Sequence, residues 1–136
     1  MNNAYDLDET LNIKDNLKYQ SLKAQIISLL LLAPNVNERY MAASLDKVDD
    51  LLIYLSCFTN LKQIRLIRIK HIINFSTYSL YKIVDSKRKA AELKKLIKAI
   101  RLLQRIFQES NCKVKIIELD VSINNYTFWT QVLKKK

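Results

Sequence analysis

A chain of 136 residues with 49% hydrophobic and 26% charged content has the composition of one folded domain, long enough to bury a core. It contains no glycine, which excludes the dinucleotide fingerprint, the Walker A loop, the kinase glycine-rich loop, the GxxG clamp of KH domains and the RNP1 motif of RRM domains. The net charge of +10 is uneven, because residues 1–50 hold five basic groups against eight acidic ones, a balance of −3, which leaves +13 on the remainder. That polarity predicts nucleic acid or another polyanion, an anionic membrane surface, or an acidic protein patch as partner.

Residues 1–14 are polar and acidic and read as a loose arm of a single domain spanning residues 1–136. From Asp15 onward Leu17, Leu22, Ile26, Leu29 and Leu30 recur at helical spacing until Pro34. Asn35-Val36-Asn37 is capping chemistry, and Met41, Leu45, Val48, Leu52 and Leu55 outline a second helix, so residues 15–58 are expected to form an antiparallel helical pair.

Residues 59–122 read as strand, strand, helix, strand. LKQIRLIRIKHIINF is rich in Ile with basic residues interleaved, and TYSLYKIV alternates along its length, which suggests two neighbouring strands. Asp85-Ser86 is an N-cap signal for a long helix with Leu93, Leu96, Ile97, Ile100, Leu103 and Phe107 on one stripe. KVKIIELDV then reads as a central strand. Together these give an α+β fold in which two N-terminal helices pack on a small mixed β-sheet containing a βαβ unit with one long basic helix. If Ile26–Ala33 were a strand instead, the order would be the βαββαβ of the ferredoxin-like fold. Leu61-x-x-Ile64-x-Leu66 and Val114-x-x-Ile117-x-Leu119 share a rhythm that resembles leucine-rich repeats, each following a helix and a Thr-Asn or Ser-Asn pair. Residues 123–136 form an aromatic and basic C-terminal segment, read as a short helix or an edge strand.

Chemistry-bearing groups are few. Cys57 and Cys112 stand in no CxxC motif, and Cys57 within LLIYLSCF reads as a buried small hydrophobe, so a reducing intracellular compartment is expected. The apolar run Ile26–Ala33 is shorter than the ~20 residues a membrane helix needs, and acidic residues precede it where a secretory signal requires basic ones. Asp49-Asp50 and Asp6-x-Asp8-Glu9 lack the ligand spacing of a metal loop, and His71, the one histidine, lies in an Ile-rich run and reads as structural. No enzyme, metal or cofactor is predicted.

The basic residues are the stronger lead. Lys94, Lys98, Arg101 and Arg105 step by four, three and four along the long helix, an exposed ridge opposite its apolar stripe. Lys87, Arg88 and Lys89 crowd the positive end of that helix's dipole, which an external phosphate or Asp85 would offset. Arg68 and Lys70 are expected on a strand face with Lys62, with Arg65 on the other face, and Tyr78 and Tyr81 supply rings able to stack on bases. The expected function is a non-catalytic basic accessory protein that binds RNA or unspecific DNA through these residues. The alternative is a structural or interaction subunit of a larger assembly, with the Leu-rich helices or Tyr126, Phe128 and Trp129 as its interface; against the latter stands a segment pinned to the core by Trp129.

Overall fold

The computed structural model describes residues 16–34 and 36–134. The acidic arm assigned to residues 1–14, together with Lys135 and Lys136, lies outside these residues. Leu22, Ile26 and Leu30 recur at the four-residue step of a helix ridge and are buried on α1 (Leu17–Leu32). Asn16 Oδ1 accepts from the Lys18 N–H at its start, and Ala33, preceding Pro34, takes the extended conformation that proline imposes on its predecessor. Ile26–Ala33 is therefore the end of a helix and its cap.

Asn37 caps α2 (Glu38–Phe58) by accepting from the Tyr40 N–H at 2.8 Å. Val48, Leu51, Leu52 and Leu55 are buried on α2, which packs along α1. The Lys18 ammonium reaches the Thr59 carbonyl just past the C-terminus of α2, which fixes the pair as antiparallel. A cation there also complements the negative end of the α2 dipole.

Beyond Thr59 the structure departs from the α+β expectation. Among the described residues there are five α-helices and no strand, so the mixed sheet, the βαβ unit and the ferredoxin-like alternative are all overturned. The first Ile-rich stretch forms a 3₁₀ turn (Ile64–Leu66) and then α3 (Ile69–Leu80), which includes the TYSL read as a second strand. Burial explains the outcome: Leu61, Ile64 and Ile67 are buried at a step of three, and Ile72, Ile73, Phe75, Ser76 and Leu80 cluster on one side of a helix. Core packing outweighs the modest strand preference of Ile and Tyr. Ser76 Oγ donates to the Ile72 carbonyl one turn back at 2.7 Å, which satisfies a hydroxyl that would otherwise compete with the helix.

Asp85 Oδ1 accepts from the Lys87 N–H at the start of α4 (Ser86–Glu109). Leu96, Ile100, Leu103 and Phe107 are buried along it, as the spacing predicts, and Leu93 and Ile97 flank them half-buried. Helices α1, α2 and α3 all pack on α4, which forms the centre of the core. α4 ends without glycine: Asn111 takes φ 63°, while the Cys112 N–H returns to the Phe107 carbonyl and the Asn111 N–H to that of Gln108. This is a Schellman closure with asparagine in the left-handed position. Replacing Asn111 by Val is expected to lower unfolding free energy by about 1–2 kcal/mol, and by Gly to leave it equal or higher, as read by urea denaturation.

KVKIIELDV, read as a central strand, is a second 3₁₀ turn (Lys115–Glu118) flanked by extended residues, with Ile116 and Val121 as its buried anchors. The two stretches of leucine-rich-repeat rhythm are thus the two 3₁₀ turns. Each is held to a helix by one glutamine. Gln25 of α1 donates to the Lys62 carbonyl and accepts from the Ile64 N–H, and Gln104 of α4 donates to the carbonyls of Ile116 and Leu119, both at 2.7 Å. Gln104→Ala is expected to lose about 1–2 kcal/mol for two hydrogen bonds, visible as a drop in melting temperature. The chain closes with α5 (Tyr126–Lys134), capped by Asn125 and packed on α3.

Candidate polyanion-binding surface

Basic residues occupy two areas of the folded chain. The first is the outer face of α4, where Lys94, Lys98, Arg101 and Arg105 are all exposed in the expected row. Neighbouring acids moderate it: Lys95 bonds Asp50 of α2 at 3.1 Å, and Asp120 stands close enough to Arg101 to feel its charge. The Asp120 carboxyl is held below the usual range, chiefly by the Ser122 N–H and in smaller part by Arg101. At the helix start Lys87 and Arg88 are exposed and Lys89 is half-buried. The cap role that the crowding there assigned to a phosphate or to Asp85 is filled by Asp85.

The second area is a groove that the two 3₁₀ linkers build between them. Arg65, Arg68 and Lys70 on one side and Lys113 and Lys115 on the other line about 600 Å³ of open space, with Leu66, Ile67, Ile69 and Val114 between them and no carboxylate among the described residues that line it. Five basic residues thus border one open groove beside apolar side chains. Ile64, Ile67 and Ile116 anchor the two walls in the core, and Gln25 and Gln104 set their backbones. Arg68 and Lys70 therefore stand at the entry to α3 and not on a strand, grouped with two lysines that sequence reasoning did not name. The signal for these was present: in Lys113-Val114-Lys115-Ile116 the lysines alternate with apolar residues, which puts both on the face opposite the core.

His71 adjoins the groove on the α3 side, beside Lys62, Arg68, Lys70, Asn60 and Asn74. The His71 Nδ1 accepts from the Arg68 N–H at 2.8 Å, while the backbone N–H of His71 donates to the Arg68 carbonyl, closing the first turn of α3. Burial, then the charges of Lys70 and Arg68, hold the imidazole below its ordinary range. Above the ordinary value of 6.5 the ring is neutral in folded and unfolded chains alike; as pH falls through it, the unfolded chain gains the proton first, so stability is lost on acidification. Thermal melts at about pH 7.5 and about pH 5 should show a larger drop for wild type than for His71→Gln.

The remaining candidates are placed as follows. Phe128 and Trp129 are buried edge to face at 4.7 Å between ring centres, and the Trp129 indole donates to the Ser122 carbonyl. Tyr126 alone of the three aromatic interaction candidates is exposed. Cys57, expected as a buried hydrophobe, is exposed on the outer side of the last turn of α2, and Cys112 is half-buried; neither is in a disulfide. Among the described residues no helix is long and apolar enough to cross a membrane, and no group of three His, Cys, Asp or Glu side chains is placed to hold a metal.

Comparison with protein-family models, with curated proteins and with solved structures finds no match.

Proposed function

We propose that this chain is a non-catalytic nucleic-acid-binding accessory protein that grips the phosphate backbone of RNA or unspecific DNA. The grouping of Arg65, Arg68, Lys70, Lys113 and Lys115 around one groove, with no carboxylate among the described residues that line it, is the observation that carries the reading. Cations that line one groove repel one another, and a row of phosphates offsets that repulsion while releasing its own counterions. The α4 row adds a longer-range positive field that steers the polymer toward the protein. Sequence selectivity is expected to be weak, because the groove presents charge and aliphatic surface, not a planar edge-reading array.

The test is a fluorescence-anisotropy titration of labelled RNA and DNA across a salt series. Five neutralised phosphates give a log–log slope of about −3.5 on a single strand. A slope near zero, or no binding at low salt, contradicts the proposal. The interaction-subunit reading keeps one observation in its favour, the exposure of Leu31 and Leu32 at the end of α1, and would be supported by loss of a co-purifying protein on replacing both with Ser.

A further inference from the structure

An aromatic patch stands at the C-terminal end of α3, whose N-terminal end borders the basic groove. Phe58 of α2, Tyr78 of α3 and Tyr81 just beyond it are 59%, 42% and 52% exposed. Phe58 and Tyr78 lie 5.1 Å apart between ring centres, and Tyr54, itself buried, lies 5.3 Å from each. Phe75 backs Tyr54 at 5.5 Å. Phe58 and Tyr78 are therefore backed by the buried ring of Tyr54. The Lys82 ammonium stands 5.9 Å from the centre of the Tyr78 ring and 5.7 Å from that of Tyr81. Lys89 lines a cleft with Tyr81. Asp85 is the only carboxylate between residues 59 and 89, and it serves as the α4 cap.

Rings and cations are joined by one stripe of α3. Lys70, Asn74 and Tyr78 follow at steps of four, which places them in line on one helix face. Lys70 to Tyr78 is about 12 Å along the axis, the length of three to four stacked nucleotides at about 3.4 Å each. Lys70 also belongs to the groove lined by Lys113 and Lys115. Exposed rings grouped in this way offer a surface to a partner, and the cations beside them, Lys82 at Tyr78 and Tyr81 and Lys89 at Tyr81, favour an anionic partner with flat apolar faces. Bases in a duplex hide those faces in the stack, whereas a single strand offers them.

We infer that a single-stranded nucleic acid lies along the outer face of α3, with bases stacked on Phe58, Tyr78 and Tyr81 and phosphates running past Lys70 into the groove. This rests on the nucleic-acid reading above and specifies its substrate class and polarity of contact. The test compares labelled oligo-uridine with a mixed-sequence duplex at low salt, on wild type, on Phe58→Ala/Tyr81→Ala and on Lys70→Glu/Lys115→Glu. The aromatic variant should bind the single strand roughly tenfold more weakly and the duplex unchanged, while the charge variant weakens both. Wild-type affinity of the aromatic variant for oligo-uridine, with loss in the charge variant, overturns the stacking path and leaves the nucleic-acid reading standing. Absence of binding by wild type to either probe overturns both. Photo-crosslinking of wild type to iodouracil-substituted oligonucleotide gives a readout independent of variant folding: adducts at Phe58, Tyr78 or Tyr81 are expected, and adducts confined to other residues overturn the inference.

Discussion

Reversing four groove cations, Arg68→Glu, Lys70→Glu, Lys113→Glu and Lys115→Glu, should weaken nucleic-acid binding by roughly 100-fold or more at low salt and flatten its salt dependence to a slope of about −0.7 or less. The size follows from geometry. Each cation shares the groove with the others and with no carboxylate among the described lining residues, so on the proposed reading each removed charge withdraws one phosphate contact and each added Glu repels the next. All four side chains are exposed, so circular dichroism and melting temperature should match wild type. The comparison variant replaces Lys94, Lys98, Arg101 and Arg105 with Glu. There the expected loss is below about tenfold, mostly in association rate, because on the proposed reading that row steers the approach, and Lys95 beside it is paired with Asp50. A larger loss in the α4 row than in the groove would reassign the site to the long helix.

Phe107→Ala is expected to cost about 3–5 kcal/mol of unfolding free energy, the largest effect of any single truncation considered for this fold. Phe107 is fully buried in the last turns of α4, and its carbonyl also accepts the closing bond from Cys112. Deleting the ring leaves a cavity in the helix on which α1, α2 and α3 all pack. Against a total stability of about 5–15 kcal/mol for an ordinary domain, such a loss brings the variant close to the unfolding threshold. Urea denaturation should show a lower midpoint with an unchanged slope. Leu17→Ala, at a position 86% exposed, should fall within about 0.5 kcal/mol of wild type.

Three of the five helices among the described residues were readable from the residues themselves. α1, α2 and α4 each combine a buried stripe at helical spacing with a side-chain cap, and such local signals agree with the tertiary outcome. α3 was not readable as a helix, because its Ile, Thr and Tyr content favours a strand and the deciding factor is long-range: Ile72, Ile73 and Leu80 are buried where α2, α4 and α5 meet α3. The 3₁₀ linkers were misread for a related reason. A buried residue every three positions, as at Leu61, Ile64 and Ile67, falls between the periods of strand and helix. The groove followed the linkers out of reach, since Arg68 and Lys115 lie far apart in sequence and meet only after Gln25 and Gln104 have fastened both segments. Cys57 was placed in the core because its neighbours Leu52 and Leu55 are there; it sits on the opposite side of the same turns.

The groove is tested most directly by recording amide shifts of the isotope-labelled protein while oligo-uridine is added at low salt. Binding should move the amides of residues 62–71 and 113–115 first and furthest, with smaller shifts along residues 94–105. Shifts concentrated on the outer face of α4, or none at saturating oligonucleotide, would contradict the account.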